Sequence, residues 1–141
     1  MKKPNPDPQN SLALVVHGDM AALSKLQAAL GAKGFTTIVA RDLPTALLAI
    51  TQHYFKVAIV SSQLAEGGDG WPLAGVLHMV FPRSFIAVIS VTEPDVLTLQ
   101  SAINYGAREV YHQASPAEEI VDSIVTRLSS SDDSGSRSRI Q

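Results

Sequence analysis

Two short stretches carry the side chains that could do chemistry. His17-Gly18-Asp19 follows the apolar run Leu12–Val16, and Ser61-Ser62 follows Val57–Val60. A serine hydroxyl attacks only when a neighbouring base or a lowered pKa activates it, so neither serine is a nucleophile by type alone. His17, Asp19 and His112 form a set that imidazole-loving Zn²⁺ would accept. The two histidines lie near the ends of a first and a fifth strand that are not neighbours in the expected sheet, so no metal site is assigned. Asp19 has a plainer role as the N-cap of the helix that follows, and Asp42, before Leu43-Pro44, reads the same way. The glycine-rich "EGGDGW" (Glu66 to Trp71) lacks the spacings of phosphate-cradling loops and reads as a flexible turn. His53 and His78 read as helix-surface residues. Trp71 is either an exposed anchor for a partner or a ring packed on its own loop.

The elements that must position these residues are legible in the pattern. "LALVVH" (Leu12 to His17), "FTTIVA" (Phe35 to Ala40), "VAIVSS" (Val57 to Ser62), "FIAVIS" (Phe85 to Ser90) and "EVYHQ" (Glu109 to Gln113) are five candidate strands. Three are nearly continuous in Val, Ile, Leu and Ala, the pattern of strands covered on both faces. Between them run helical stripes: Met20, Leu23, Leu26 and Leu30; Leu43, Leu47 and Ile50; Leu73, Val76, Leu77 and Val80; Leu99 and Ile103; Ile120, Ile124 and Leu128. Ser115-Pro116-Ala117-Glu118 is a capping box, Thr92-Glu93-Pro94-Asp95 a weaker one, and Gly31 or Gly34, with Gly106, sit where helices should stop. Strands alternating with helices predict an α/β fold, a doubly wound five-stranded parallel sheet in the flavodoxin-like order 2-1-3-4-5, with helices on both faces. Ligands in such sheets sit at the carboxyl ends of strands 1 and 3, here His17-Gly18-Asp19 and Ser61-Ser62.

Composition bounds the partners. The 141 residues suit one domain with a single core, and 45% hydrophobic with 17% charged residues is a globular balance. A net charge of -2 gives no general attraction to nucleic acid or to anionic membranes, so neither is expected as a partner. The absence of cysteine excludes disulfides and thiolate chemistry and fits a cytoplasmic location. No apolar run reaches the length of a membrane span or a signal peptide. Residues 1–10 and 129–141 have little to bury and are expected to be disordered, leaving 11–128 as the folded domain.

Over about Ser11 to Leu128 the chain resembles the receiver domain of two-component response regulators. The resemblance rests on "LALVVHGDM", on "AIVSSQLAEGGDGW" with Gly70 at the family's loop glycine, on "FIAVIS", and on "INYGAREVYHQASPAEEI". In that family an acidic pair after the first strand holds Mg²⁺, an aspartate at the end of the third strand accepts a phosphoryl group, a Ser or Thr ends the fourth, and a lysine ends the fifth. By resemblance the acidic pair falls on His17 and Gly18, with Asp19 just beyond. The phosphoacceptor falls on Ser62, counted back from Gly70, and the hydroxyl on Ser90, or on Thr92 if the loop is one residue longer. The lysine falls on Gln113, its following proline on Ala114, and the aromatic switch on Val110.

These replacements remove the chemistry together. Mg²⁺ takes oxygen ligands and is usually held by one or two carboxylates, which are missing here. Serine, unlike aspartate, is not ionised at neutral pH, and Gln113 cannot balance the charge of a phosphoryl group as an ammonium does. The resemblance therefore implies a degenerate receiver, a pseudo-receiver with no catalytic residues, no metal and no cofactor, that acts by protein–protein interaction without aspartyl phosphorylation. It further implies that the face of helix 4, strand 5 and helix 5 is the contact surface for a signalling partner or a homodimer. Candidate contacts are Asn104, Tyr105, Arg108, Glu109, Glu119 and Arg127. Two alternatives stand beside this reading: a regulator phosphorylated on Ser62 or on the tail serines, and a small-ligand or metal-dependent enzyme on the same scaffold.

Overall fold

The computed structural model describes the backbone of residues 11–140 and the side chains of residues 11–130. The expected disordered segment 1–10 lies outside the described residues. The strands are β1 (Leu12–Val16), β2 (Thr36–Ala40), β3 (Val57–Ser61), β4 (Phe85–Ser90) and β5 (Glu109–His112). All pair in parallel, in the order β2-β1-β3-β4-β5, as the sequence pattern predicts. The helices are α1 (Met20–Ala32), α2 (Leu43–Gln52), α3 (Trp71–Val80), α4 (Val96–Tyr105) and α5 (Ala117–Ile140), with a short 3-10 turn at Ala65–Gly67.

The period of two along each strand divides the core into two layers. Leu14, Val16, Ala58, Val60, Ile86 and Val88 face α2 and α3, meeting Ala46, Ile50, Leu73 and Leu77. Ala13, Val15, Val57, Ile59, Ala87 and Ile89 face α1 and α5, meeting Leu23, Leu30, Ile120 and Ile124. Both faces of β3 and β4 are therefore fully covered, which is why their sequences are unbroken apolar runs. Each fully buried Leu or Ile adds roughly 1.5–3 kcal/mol of transfer free energy.

Several helical stripes are rotated from the sequence expectation. Met20 is exposed, and Leu43 and Leu47 yield the core side of α2 to Ala46 and Ala49. Val76 and Val80 of α3 are exposed as well. In α4 the correction is larger: Leu99 is 52% and Ile103 78% exposed, while Ala102 is the residue that faces the core. Where a helix lies close on a sheet, a small residue can fill the contact and the larger neighbours turn outward. The start of α4 also differs, because Asp95 caps Thr98 at 2.9 Å and Thr92 caps nothing. At the other end of the chain α5 continues to Ile140, past the expected start of a disordered tail at Ser129. No proline interrupts it, so each residue adds a backbone bond to a helix already nucleated by packing. Among the described residues, the last of this helix packed against the core is Leu128.

Candidate functional site

The parallel sheet brings the carboxyl ends of β1, β3, β4 and β5 to one rim, where Ser90 pairs with His112 and Ser61 with Ile89. Six sequence-predicted positions, His17, Gly18, Asp19, Ser62, Ser90 and Gln113, all lie on this rim or in the loop just past it. What matters chemically is where their polar atoms point.

Ser62 is tied to the end of β4 twice. Its N–H donates to the Ile89 carbonyl at 2.8 Å, and its Oγ accepts from the Val91 N–H at 3.2 Å. No base is hydrogen-bonded to that hydroxyl among the described residues. Ser61 is wholly buried and accepts from the Gln63 N–H at 3.1 Å. Ser90 is buried too, and its Oγ donates to the Thr92 carbonyl at 2.7 Å and lies 3.4 Å from the Thr92 hydroxyl. Gln113 is anchored through its own N–H to Ser90 O at 2.9 Å and turns its side-chain amide to the Val91 carbonyl at 3.2 Å. The amide thus braces the loop after β4.

On the β1 side His17 is 8% exposed. Its Nδ1 accepts from the Asp19 N–H at 3.1 Å, which leaves the proton of the neutral ring on Nε2. Burial lowers its pKa from the ordinary imidazole value, with the Asp19 charge opposing in part. The Asp19 carboxylate caps α1, accepting from the Ala22 N–H at 3.2 Å. Gly18 is hemmed in: a Cβ there would stand 2.8 Å from Ala65 N and 3.1 Å from Leu64 C. Its carbonyl is held by Arg41, through Nη2 at 2.7 Å and Nε at 3.1 Å. A guanidinium therefore stands on the rim beside Gly18.

Arg41 is the rim residue that the sequence reading missed. Its signal is positional: it is the first residue after β2, and a cation there reaches over the neighbouring β1 loop. A groove of about 560 Å³ runs along this part of the rim, lined by His17, Gly18, Arg41, Ser61 and Gln113. A second cavity of about 470 Å³, between α1 and α5, shares His17 and Gln113. Among the described residues no three His, Asp or Glu side chains converge to hold a metal ion. His112 approaches Glu93 at 3.9 Å instead of His17.

The loop after β3 is a built structure. Glu66 and Gly67 adopt left-handed φ of 61° and 77°, Gln63 bridges Asp69, and the Asp69 carboxylate caps Trp71 N at 3.0 Å. Gly70 is required because a Cβ there would collide with the Ser61 carbonyl. Trp71 is packed, with its ring stacked on Tyr105 at 6.0 Å and 30°.

The six candidate interaction residues have different surroundings. Asn104 and Glu119 are exposed on α4 and α5. Tyr105 turns toward Trp71 and Gly75 on α3. Glu109 pairs with Arg127 at 3.3 Å. Arg108 is exposed just ahead of β5, its guanidinium 5.7 Å from the Phe85 ring centroid. The surface that stands out on this side is apolar: Val96, Leu97 and Ile103 of α4 are each more than 70% exposed.

No protein-family model and no curated protein matches the chain. Solved structures do. A Burkholderia pseudomallei response regulator with a phosphorylated aspartic acid, calcium ion and citrate superposes with a TM-score of 0.74 at 20% identity, over 89% of this chain and 72% of that one. A CheY-like receiver domain protein from Methanospirillum hungatei gives 0.77 at 18% identity, over 88% and 98%. The receiver domain of an HD domain-containing protein from Pseudomonas fluorescens gives 0.75 at 22%, over 88% and 98%. The chain has the fold of response-regulator receiver domains.

Proposed function

We propose that the chain is a degenerate receiver domain that signals through a protein partner without aspartyl phosphorylation. The observation that carries this reading is the Gly18–Arg41 arrangement. A receiver needs a carboxylate pair and a divalent cation at this rim; here one position has no side chain and no room for one, and a guanidinium supplies fixed positive charge. Ser62, at the phosphoacceptor position, has its hydroxyl held by a backbone N–H and no base to activate it. Gln113, at the lysine position, is neutral and turned to Val91.

Output then depends on shape. The exposed aliphatic residues of α4, beside Asn104 and the exposed positions of α5, supply a face of the kind that protein interfaces use. The partner is a signalling protein or a second copy of the chain, in a cytoplasmic setting, with no enzymatic turnover by this domain. The test is incubation with acetyl phosphate and Mg²⁺, followed by intact mass and peptide mapping. No phosphoryl adduct is expected; an adduct on Ser62, or on any rim residue, sinks the reading.

A further inference from the structure

At the edge of the sheet opposite the rim, the positions before the strands gather basic side chains. A parallel sheet puts all its amino ends together, and the residues just ahead of β1 to β5 are Ser11, Phe35, Lys56, the Arg83-Ser84 pair and Arg108. Backbone bonds fix the contiguity: Lys56 N–H to Leu12 O at 2.9 Å, Phe85 N–H to Lys56 O at 3.0 Å, and Arg108 N–H to Ile86 O at 2.7 Å. Three neighbouring strands therefore present three cations in sheet order, on strands spaced about 4.8 Å apart. Lys33 joins them from the end of α1, and the four line a cavity of about 440 Å³ floored by Phe35 and Phe85.

The charge balance of this cavity is one-sided. Among the described residues its lining holds no acidic side chain. Lys33 is paired with Asp122 at 2.9 Å, but among the described residues no ion pair engages Lys56, Arg83 or Arg108. Like charges at such spacings repel, and in a chain of net charge -2 there is no general excess of cations to explain the cluster. The repulsion is relieved by an anion that meets several cations at once, and a guanidinium fork suits phosphate oxygens. The volume falls within the range of small-ligand pockets, and the partly buried Phe35 offers an apolar surface beside the charge, while Phe85 is core and lies under Arg108.

We infer that the amino edge of the sheet, at Lys33, Lys56, Arg83 and Arg108, is a binding site for a small phosphate-bearing ligand, separate from the rim. The ligand is bound as a dianion or polyanion, with Arg83 and Arg108 on its phosphate oxygens and Phe35 against any organic part. No bond is made or broken.

The test is calorimetric titration of the full chain with inorganic pyrophosphate and with a nucleoside diphosphate, both without metal. Saturable one-to-one binding is expected, weakened about tenfold or more by Arg83→Gln, because a charged hydrogen-bonding partner is lost. Lys25→Gln on α1 removes the same charge elsewhere and should leave the affinity unchanged. Tighter binding of the nucleotide assigns a role to Phe35; equal binding assigns the site to phosphate charge alone, and both support the proposal. Because Arg83 and Lys56 are exposed, both Gln variants should melt with the parent chain; if Arg83→Gln does not fold, Lys56→Gln gives the same reading. Absence of saturable binding at millimolar probe, equal weakening by Lys25→Gln, or preferential binding of an RNA oligonucleotide over both small probes would overturn it.

Discussion

Arg41 holds the carbonyl oxygen of Gly18 with two nitrogens, Nη2 at 2.7 Å and Nε at 3.1 Å, and so ties the loop after the edge strand β2 to the loop after β1. The contact is solvent-exposed, so its energetic weight is modest. Arg41→Ala should lower stability by about 0.5–1.5 kcal/mol, the net worth of an ordinary hydrogen bond, because water can replace the lost donor. The substitution should not create a cation site, since no carboxylate pair is released by it. Urea denaturation and a Mg²⁺ titration of the melting temperature check the two halves; a Mg²⁺-dependent rise in Tm would show that Arg41 had been masking a metal site.

Gly18 is the tighter constraint. Its missing Cβ is the space into which the Leu64–Ala65 backbone has settled, at 2.8 Å from Ala65 N. Gly18→Ala must push that loop away and should cost about 1–3 kcal/mol, the range for overpacking. Gly31→Ala is the comparison: nothing lies within 4 Å of the added methyl, and the position is helical, so it should be neutral or stabilising. Equal effects of the two substitutions in chemical denaturation would refute the close approach.

The pH dependence follows from His17. Burial lowers its pKa below the ordinary value of 6.5, and the Asp19 charge only partly offsets this. The unfolded chain therefore binds a proton at His17 more readily than the folded one, and protonation favours unfolding. Stability should be full above the unfolded value and should fall as pH drops from about 6.5 toward the lower folded value. His17→Asn should flatten that part of the curve. Further into acid a separate loss is expected, because the Asp42 and Asp95 carboxylates, held low by hydrogen bonds from Thr45 and Thr98, must then take up protons. A His17→Asn protein with an unchanged slope between pH 6.5 and 5 would remove His17 as its source.

The sheet was readable because burial on both faces leaves a simple mark. Val57–Ser61 and Phe85–Ser90 are apolar at nearly every position, rich in Val and Ile, and bounded by turn residues, as strands covered on both faces are. Asp19 and Asp42 were readable as caps because an N-cap is a local hydrogen bond. Arg41 was not, since its partner Gly18 is 23 residues away and only the strand order brings them together. The amino-edge cations were hidden for the same reason. Lys56 and Arg83 are unremarkable in the chain, Arg108 stood out only as a candidate partner contact, and the three become neighbours only through the order β3-β4-β5. Helix α4 misled for the opposite reason: Leu99 and Ile103 have the right spacing for a core stripe, but periodicity says which residues share a side and not which side is covered.

That rotation of α4 makes a prediction about where this helix carries energy. Ile103 is 78% exposed and Ala102 only 7%, although they are adjacent in sequence. Ile103→Asp should therefore change folding stability by no more than about 0.5 kcal/mol, as expected for a surface site. Ala102→Asp places a carboxylate against the sheet without a partner and should cost several kcal/mol, enough to threaten folding of a marginally stable domain. The ordering is the reverse of what hydrophobicity alone suggests, because the larger apolar side chain is the dispensable one for folding. If the outer face of α4 contacts a partner, Ile103→Asp should abolish that association while leaving the melting curve in place, since a charge in an apolar contact must be desolvated only when the complex forms. Thermal unfolding of the two variants, alongside sedimentation of Ile103→Asp and the parent chain over a concentration series and a binding assay with any partner then isolated, separates folding from association. A large loss of stability in Ile103→Asp would mean that α4 is rotated toward the core through Leu99 and Ile103 after all.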